Sequence, residues 1–362
     1  MSWVSRVDGF QRRHPLVSYP LAVVYKFYED QGPYLAAIIT YYGLLSLVPL
    51  LLLLSTVLGY VLAGNPGAQQ AILESAATQI PVIRDEIGTP GSLGGGGTGL
   101  VIGIVGALYG ALGIGLALQN AVNTAWGVPR NERPNPFASR LRSLLLIVTA
   151  GLFVVGTTVL NIVLADLIGA QGTLLQWMTR AGYTALAALG FTMAFRLAAA
   201  HRPPLRTVLP GAVLMGVLWQ FLQRFGGNLV GLVSERSSVS NQVFTAVLGV
   251  IAFLFVSSCV AVLCVEVDVV RVRRLYPRAL LTPFTDAVSL TEGDQRAYTR
   301  LAQAQRHKGF ERVHVEFGAS PLERRDDGAD GGRGGGDDGR AAEAGGEEGA
   351  DRDLERVVED DR

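Results

Sequence analysis

Metal and disulfide chemistry have little to work with in this chain. Its 362 residues include two cysteines and four histidines. Cys259 and Cys264 lie inside one apolar segment, about 140° apart on a helix, so they cannot pair locally. They read as small packing residues, since no Cys/His spacing suits a metal. His14, His201, His307 and His314 are scattered along the chain, and no carboxylate cluster falls in an apolar stretch. A nuclease would need clustered acids for metal ions or a histidine acid–base site. Nuclease chemistry is therefore not expected, nor any other enzyme activity, cofactor, metal or nucleic-acid partner. No glycine-rich nucleotide-binding loop appears either, so ATP-driven work would need a partner. Charge is scarce too, at 17% of residues against about 25% in a soluble domain.

Long apolar runs fill the space. From Ala37 to Leu62, "AIITYYGLLSLVPLLLLLSTVLGYVL" holds 26 residues without a charge. A bilayer core of about 30 Å needs roughly 20 apolar residues as helix. Six segments qualify: 34–62, 99–122, 143–168, 177–199, 208–232 and 242–268. Lipid offers backbone groups no partner, so each is predicted to be helical. The runs are continuous rather than alternating, which excludes a β-barrel. The first run sits behind a polar leader and exceeds a signal-peptide core of about 7–15 residues, so no cleavable signal is expected.

Lysine and arginine set the expected orientation. The leader, the second and fourth connections and the C-terminal flank carry fifteen of them; the other three connections carry only Arg84, Arg180 and Arg236. The alternation predicts an all-α, six-helix bundle in the cell membrane with both termini cytoplasmic. Its parts are a leader with an interfacial helix (1–33), the membrane domain (34–270), a basic flank with a short helix (271–318) and an acidic tail (319–362). The tail holds 15 acidic and 7 basic residues, against 16 and 24 in the rest of the chain, and its low apolar content predicts disorder. An amphipathic helix is predicted over 71–80 in the long first external connection, stopped by Pro81.

The candidate functional residues are the polar or helix-disturbing ones inside apolar spans. Pro49 removes a backbone hydrogen bond and is expected to bend span one, either for packing or as a hinge beside a substrate path. Tyr41, Tyr42 and Ser46 precede it on the same helix. Gly99/Gly103 and Gly106/Gly110 in span two fit close helix packing, with a smooth sliding surface as the alternative. Asn120 and Asn123 close that span and read as caps or cross-links. In span five, Gln220, Arg224 and Asn228 recur every four residues and form one polar stripe. An arginine near a span centre costs about 2.5–3.5 kcal/mol, so the stripe is expected to face protein or water. Asp166 and Glu235 are its candidate partners, in a structural network or in an anion-attracting groove. Glu266 and Asp268 end span six beside Arg271, Arg273 and Arg274 and are expected to pair with them.

With these residues in place, the chain resembles the YihY/BrkB family of bacterial inner-membrane proteins, earlier labelled ribonuclease BN. "AAIITYYGLLSLVPLLLLL" (36–54) resembles the family's A-Y-Y-x-x-L-S-x-x-P signature, and "NAVNTAWGV" (120–128) its N-x-x-W element. "LWQFLQRFGGNLV" (218–230) is similar to the span-five motif, and "VLCVEVDVV" (262–270) to L-G-A-E at Glu266. Gln220 stands where the family often has an acid. "LTEGDQRAYTRLAQAQRHKGFERVHVEFG" (290–318) is similar to the tail of actinobacterial members, with a short helix and a strand-like end. The resemblance implies a six-span membrane protein of transporter or envelope type. A transporter or lipid translocase would use a polar groove lined by spans one and five and move an anionic or lipid-like substrate among membrane lipids. The alternative is a scaffold that docks an envelope protein or a second copy of itself.

Overall fold

The computed structural model describes residues 3–61, 97–167, 173–234 and 239–318. The expected amphipathic helix over 71–80 and the acidic tail lie outside them. Nine α-helices run through the described residues: α1 Trp3–Arg13, α2 Pro15–Glu29, α3 Gly32–Val61, α4 Gly97–Ala125, α5 Pro136–Leu167, α6 Thr173–Ala198, α7 Leu205–Ser234, α8 Val239–Arg273 and α9 Glu292–Gln303. No strand occurs among them.

Five stretches are long and apolar enough to cross a membrane: Gly103–Ala125, Pro136–Thr157, Arg180–Ala198, Leu205–Gly226 and Val247–Arg273. Gly32–Leu47 of α3 is a further, shorter apolar helix among the described residues. Each of these helices starts ahead of the apolar run predicted for it. Helix α5 starts at Pro136 where apolarity starts near 143, because Arg140 and Arg142 continue the helix beyond the greasy part. Apolar runs report where lipid is expected; helices end where capping and turns end them.

Helices α3 to α8 form a closed ring. Each packs on its chain neighbour, and α8 returns to α3. Helix α5 is the extreme outward case, with only 11% of its span buried. Its Leu141, Leu144, Leu145, Val148, Leu152, Val155 and Val159 recur at helical spacing and are all exposed. In water such a face would aggregate; against acyl chains it needs no partner. An apolar interior is joined here to an apolar exterior, which is the pattern of a multi-pass membrane protein.

The leader holds more than the single interfacial helix expected over 1–33. Pro15 opens α2 at its first turn, where a missing N–H costs nothing. Helix α2 then packs on α8 and buries Ala22 and Val23 in a cluster with Val122, Phe195, Met215 and Val269. Gln31 turns the chain into α3 at φ 58°. After α8, Thr291 caps α9 in a reciprocal box with Asp294. The predicted short helix is α9, but the strand-like end does not form: residues 312–318 are irregular.

Candidate polar site at the arginine-rich end of the bundle

The signature residues of α3 make a seam. Tyr42, Ser46 and Pro49 contact Gly113, Gly110 and Gly106 of the antiparallel α4, one after another. A methyl group at any of these glycines would overlap the facing side chain, so the span-two glycines serve close packing. The Ser46 hydroxyl donates to the Gly43 carbonyl at 2.9 Å. Tyr41 stands on the exposed side of α3, its ring 5.2 Å from that of Tyr42. This part of the signature is a packing device.

The two asparagines that close α4 anchor loops. Asn123 Oδ1 accepts from the Ala200 N–H at 2.8 Å, tying α4 to the end of α6. Asn120 Oδ1 accepts from Arg133 Nη1 at 2.8 Å.

Glu266 does not pair with the arginines that follow it in sequence. It is fully buried, and its Oε2 lies 3.8 Å from Nζ of Lys26, which α2 brings in from the leader. Lys26 also pairs with Asp30 one turn on and donates to the Ala125 carbonyl at 3.3 Å. Burial raises the Asp30 carboxyl above its usual range, and Lys26 opposes that. Burial alone would lower the Lys26 ammonium; Glu266 and Asp30 outweigh it and raise it. Two carboxylates and one ammonium, each at least nine-tenths hidden, thus sit where charge is costly unless paired. The readable trace of this cluster was the i,i+4 pair Lys26/Asp30, which sequence reasoning passed over because it lies in the leader.

Asp268 follows the expectation in part. It lies 3.7 Å from Arg271, and its Oδ1 accepts the Gly211 N–H at 2.9 Å. Pro210 inside α7 has no N–H for the Arg206 carbonyl. Arg271 donates to that carbonyl at 3.3 Å and to Thr207 at 2.8 Å. The acid–base pair therefore repairs the proline break in the neighbouring helix.

Next to the lysine cluster lies a cavity of about 430 Å³. Helices α2, α3, α4, α8 and α9 and the 127–133 turn line it, and Gly127 turns the chain there at φ +62°. Its charged walls are Lys26, Glu29, Asp30, Arg130, Arg133, Arg273 and Arg300. Glu29 is held by Arg278, which is itself completely buried and also pairs with Asp294. That node pins α9 to α2, and Arg306 pairs with Glu132 across the turn. The walls are thus fixed by ion pairs that leave the four cavity arginines out.

The described part of the α7 polar stripe, Gln220 and Arg224, does not turn inward. Leu222 is buried toward Val250 and Phe253. Gln220 and Arg224 stand two residues from it, about 200° round the helix. Gln220 is half-buried and Arg224 exposed, while the Asn228 side chain lies outside the described ones. Asp166 and Glu235 also lie outside the described side chains. Leu44 and Leu47 of span one and Trp219 of span five pack on that same apolar cluster. Among the described residues, no three His, Cys, Asp or Glu side chains converge to hold a metal ion.

No curated protein and no solved structure matches the chain. The family model described as virulence factor BrkB does, over residues 23–285. That range runs from α2 through the ring to the loop after α8, and takes in the signature seam, Lys26, Asp30 and Glu266. The chain belongs to the BrkB virulence factor family and is an integral membrane protein.

Proposed function

We propose that the chain is a six-span plasma-membrane transporter or lipid translocase, with both termini cytoplasmic, that moves an anionic or lipid-like substrate. Glu266 carries this reading. It is fully buried within the candidate span Val247–Arg273, 3.8 Å from a lysine brought from outside the ring. Ionisable groups within membrane spans are expensive, and a functional site such as a substrate or proton path is the first reading of one. Arg224 supports the amphiphilic side of the proposal. It is exposed on α7 with Phe221 and Phe225, so one surface offers a guanidinium for a headgroup and rings for acyl chains. The groove is then open to lipid along α7 rather than enclosed between α3 and α7.

The test is movement of a fluorescent anionic phospholipid analogue between leaflets of proteoliposomes. Glu266→Gln, and Arg224→Leu with Gln220→Leu, are each expected to slow movement at least tenfold. Unchanged rates in variants that elute as folded protein would remove the proposal.

A further inference from the structure

The four arginines of the cavity have an environment that the lysine cluster does not explain. Arg133 is oriented by three neutral acceptors: Asn120 Oδ1 at 2.8 Å, the Val128 carbonyl at 3.3 Å and Thr124 Oγ1 at 3.3 Å. Arg273 lies over the Trp126 ring, 5.8 Å from its centroid, and its Nε is buried with no acceptor among the described residues. Arg300 reaches in from α9, and Arg130 stands at the exposed rim. None of the four forms an ion pair among the described residues. The two acids of the wall are committed elsewhere, Glu29 to Arg278 and Asp30 to Lys26.

The arginines also repel one another. Burial and then Arg130 lower the Arg133 guanidinium; burial and then Arg273 lower that of Arg300. A protein does not hold like charges together in a half-buried cavity without cost, and an anion of matching geometry would relieve it. Planar guanidinium forks match phosphate oxygens, two bonds at a time. The cavity's 430 Å³ falls within the size range of small-molecule sites. Apolar side chains line it as well, among them Leu35, Val269, Leu275 and Leu301.

We propose that this cavity binds a phosphate-bearing anion, gripped by Arg133, Arg273 and Arg300 and closed at the rim by Arg130. The site stands on its own geometry and does not require that the protein move a substrate.

The test has two arms, each on the full chain in detergent. In the first, inorganic pyrophosphate is titrated calorimetrically into the native protein and into Arg273→Gln, Arg300→Gln and Arg140→Gln. Arg140 is an exposed arginine away from the cavity and serves as the control. In the second, retained phosphatidylglycerol is counted against phosphatidylcholine by native mass spectrometry in the same four proteins. Losing one charge-assisted contact is expected to weaken binding about tenfold or more. Pyrophosphate affinity that falls in both cavity variants assigns a soluble phosphate. Retention of phosphatidylglycerol that falls in both, with no pyrophosphate binding, assigns a lipid headgroup. Either pattern supports the proposal, and the two variants on different helices guard against one that fails to fold. If neither ligand distinguishes the cavity variants from Arg140→Gln, the site is refuted.

Discussion

Replacing Lys26 with methionine tests whether the buried cluster is an electrostatic unit. The substitution keeps most of the side-chain volume and removes one charge, so packing against Ala125 changes little. Glu266 and Asp30 then lose the only ammonium paired with either among the described residues. Breaking one partner out of a buried ion pair costs about 3–5 kcal/mol when the remaining charge stays ionised. The protein can escape part of that cost by taking up a proton. Asp30 already has a raised carboxyl, and Lys26 is what restrains it. A carboxyl raised in the folded state contributes stability below its unfolded value of about 4, and loses it as pH rises through the folded value. Lys26→Met raises Asp30 further. Its deficit against the native protein should therefore be largest near pH 8 and shrink on acidification toward pH 5. Adding Glu266→Gln removes one of the stranded charges and should recover about 1–3 kcal/mol of the loss. The assay is the midpoint of heat-induced loss of folded protein in detergent, followed by size exclusion at each pH. Strictly additive single and double variants, with a deficit independent of pH, would show that these groups do not interact and would refute the reasoning.

The α3–α4 seam predicts that Gly110→Leu destabilises by at least the 1–3 kcal/mol of ordinary overpacking, whereas Gly151→Ala, with nothing near its added methyl, stays within about 0.5 kcal/mol; heat midpoints of the two separate them. Asp268→Asn keeps the shape but weakens the hold on the Gly211 N–H and on Arg271, and a loss of about 1–2 kcal/mol is expected by the same assay. Tyr19 donates to the Val267 carbonyl at 2.5 Å, and burial followed by Asp268 pushes its phenol up to about 12. Because that value exceeds the ordinary 10, its contribution is full below pH 10 and is lost as pH rises through about 12. Absorbance titration of the native protein and of Tyr19→Phe should differ by one late-ionising tyrosine, while Tyr25 and Tyr298, also raised by burial, remain in both.

Hydropathy made the architecture readable and left the site hidden, for reasons visible in particular residues. An apolar run reports solvent preference over some twenty neighbours at once, so the long helices could be located while their ends, set by Pro136 or Gln31, could not. The glycines of span two were readable as a close-packing face, but their partner was not, since spacing within α4 says nothing about α3. Only the fold reveals that the tyrosine, serine and proline of the signature are the other half of that seam. Glu266 shows the limit most sharply. Three arginines follow it within eight residues, and local charge balance favours them; yet Arg271 is drawn to the carbonyls left over by Pro210, Arg273 lies two turns on over the Trp126 ring, and Arg274 stands beyond the end of α8. The partner that reaches Glu266 stands 240 positions earlier, in a leader that hydropathy counts as peripheral. Arg224 erred in the opposite direction. A four-residue period identifies a stripe, but the choice between inward and outward belongs to Leu222, whose burial turns the stripe toward the surface. Periodicity gives a helix its faces; only the neighbours decide which face is inside, and for this chain that decision moves the charged centre from α7 to the junction of α2 and α8.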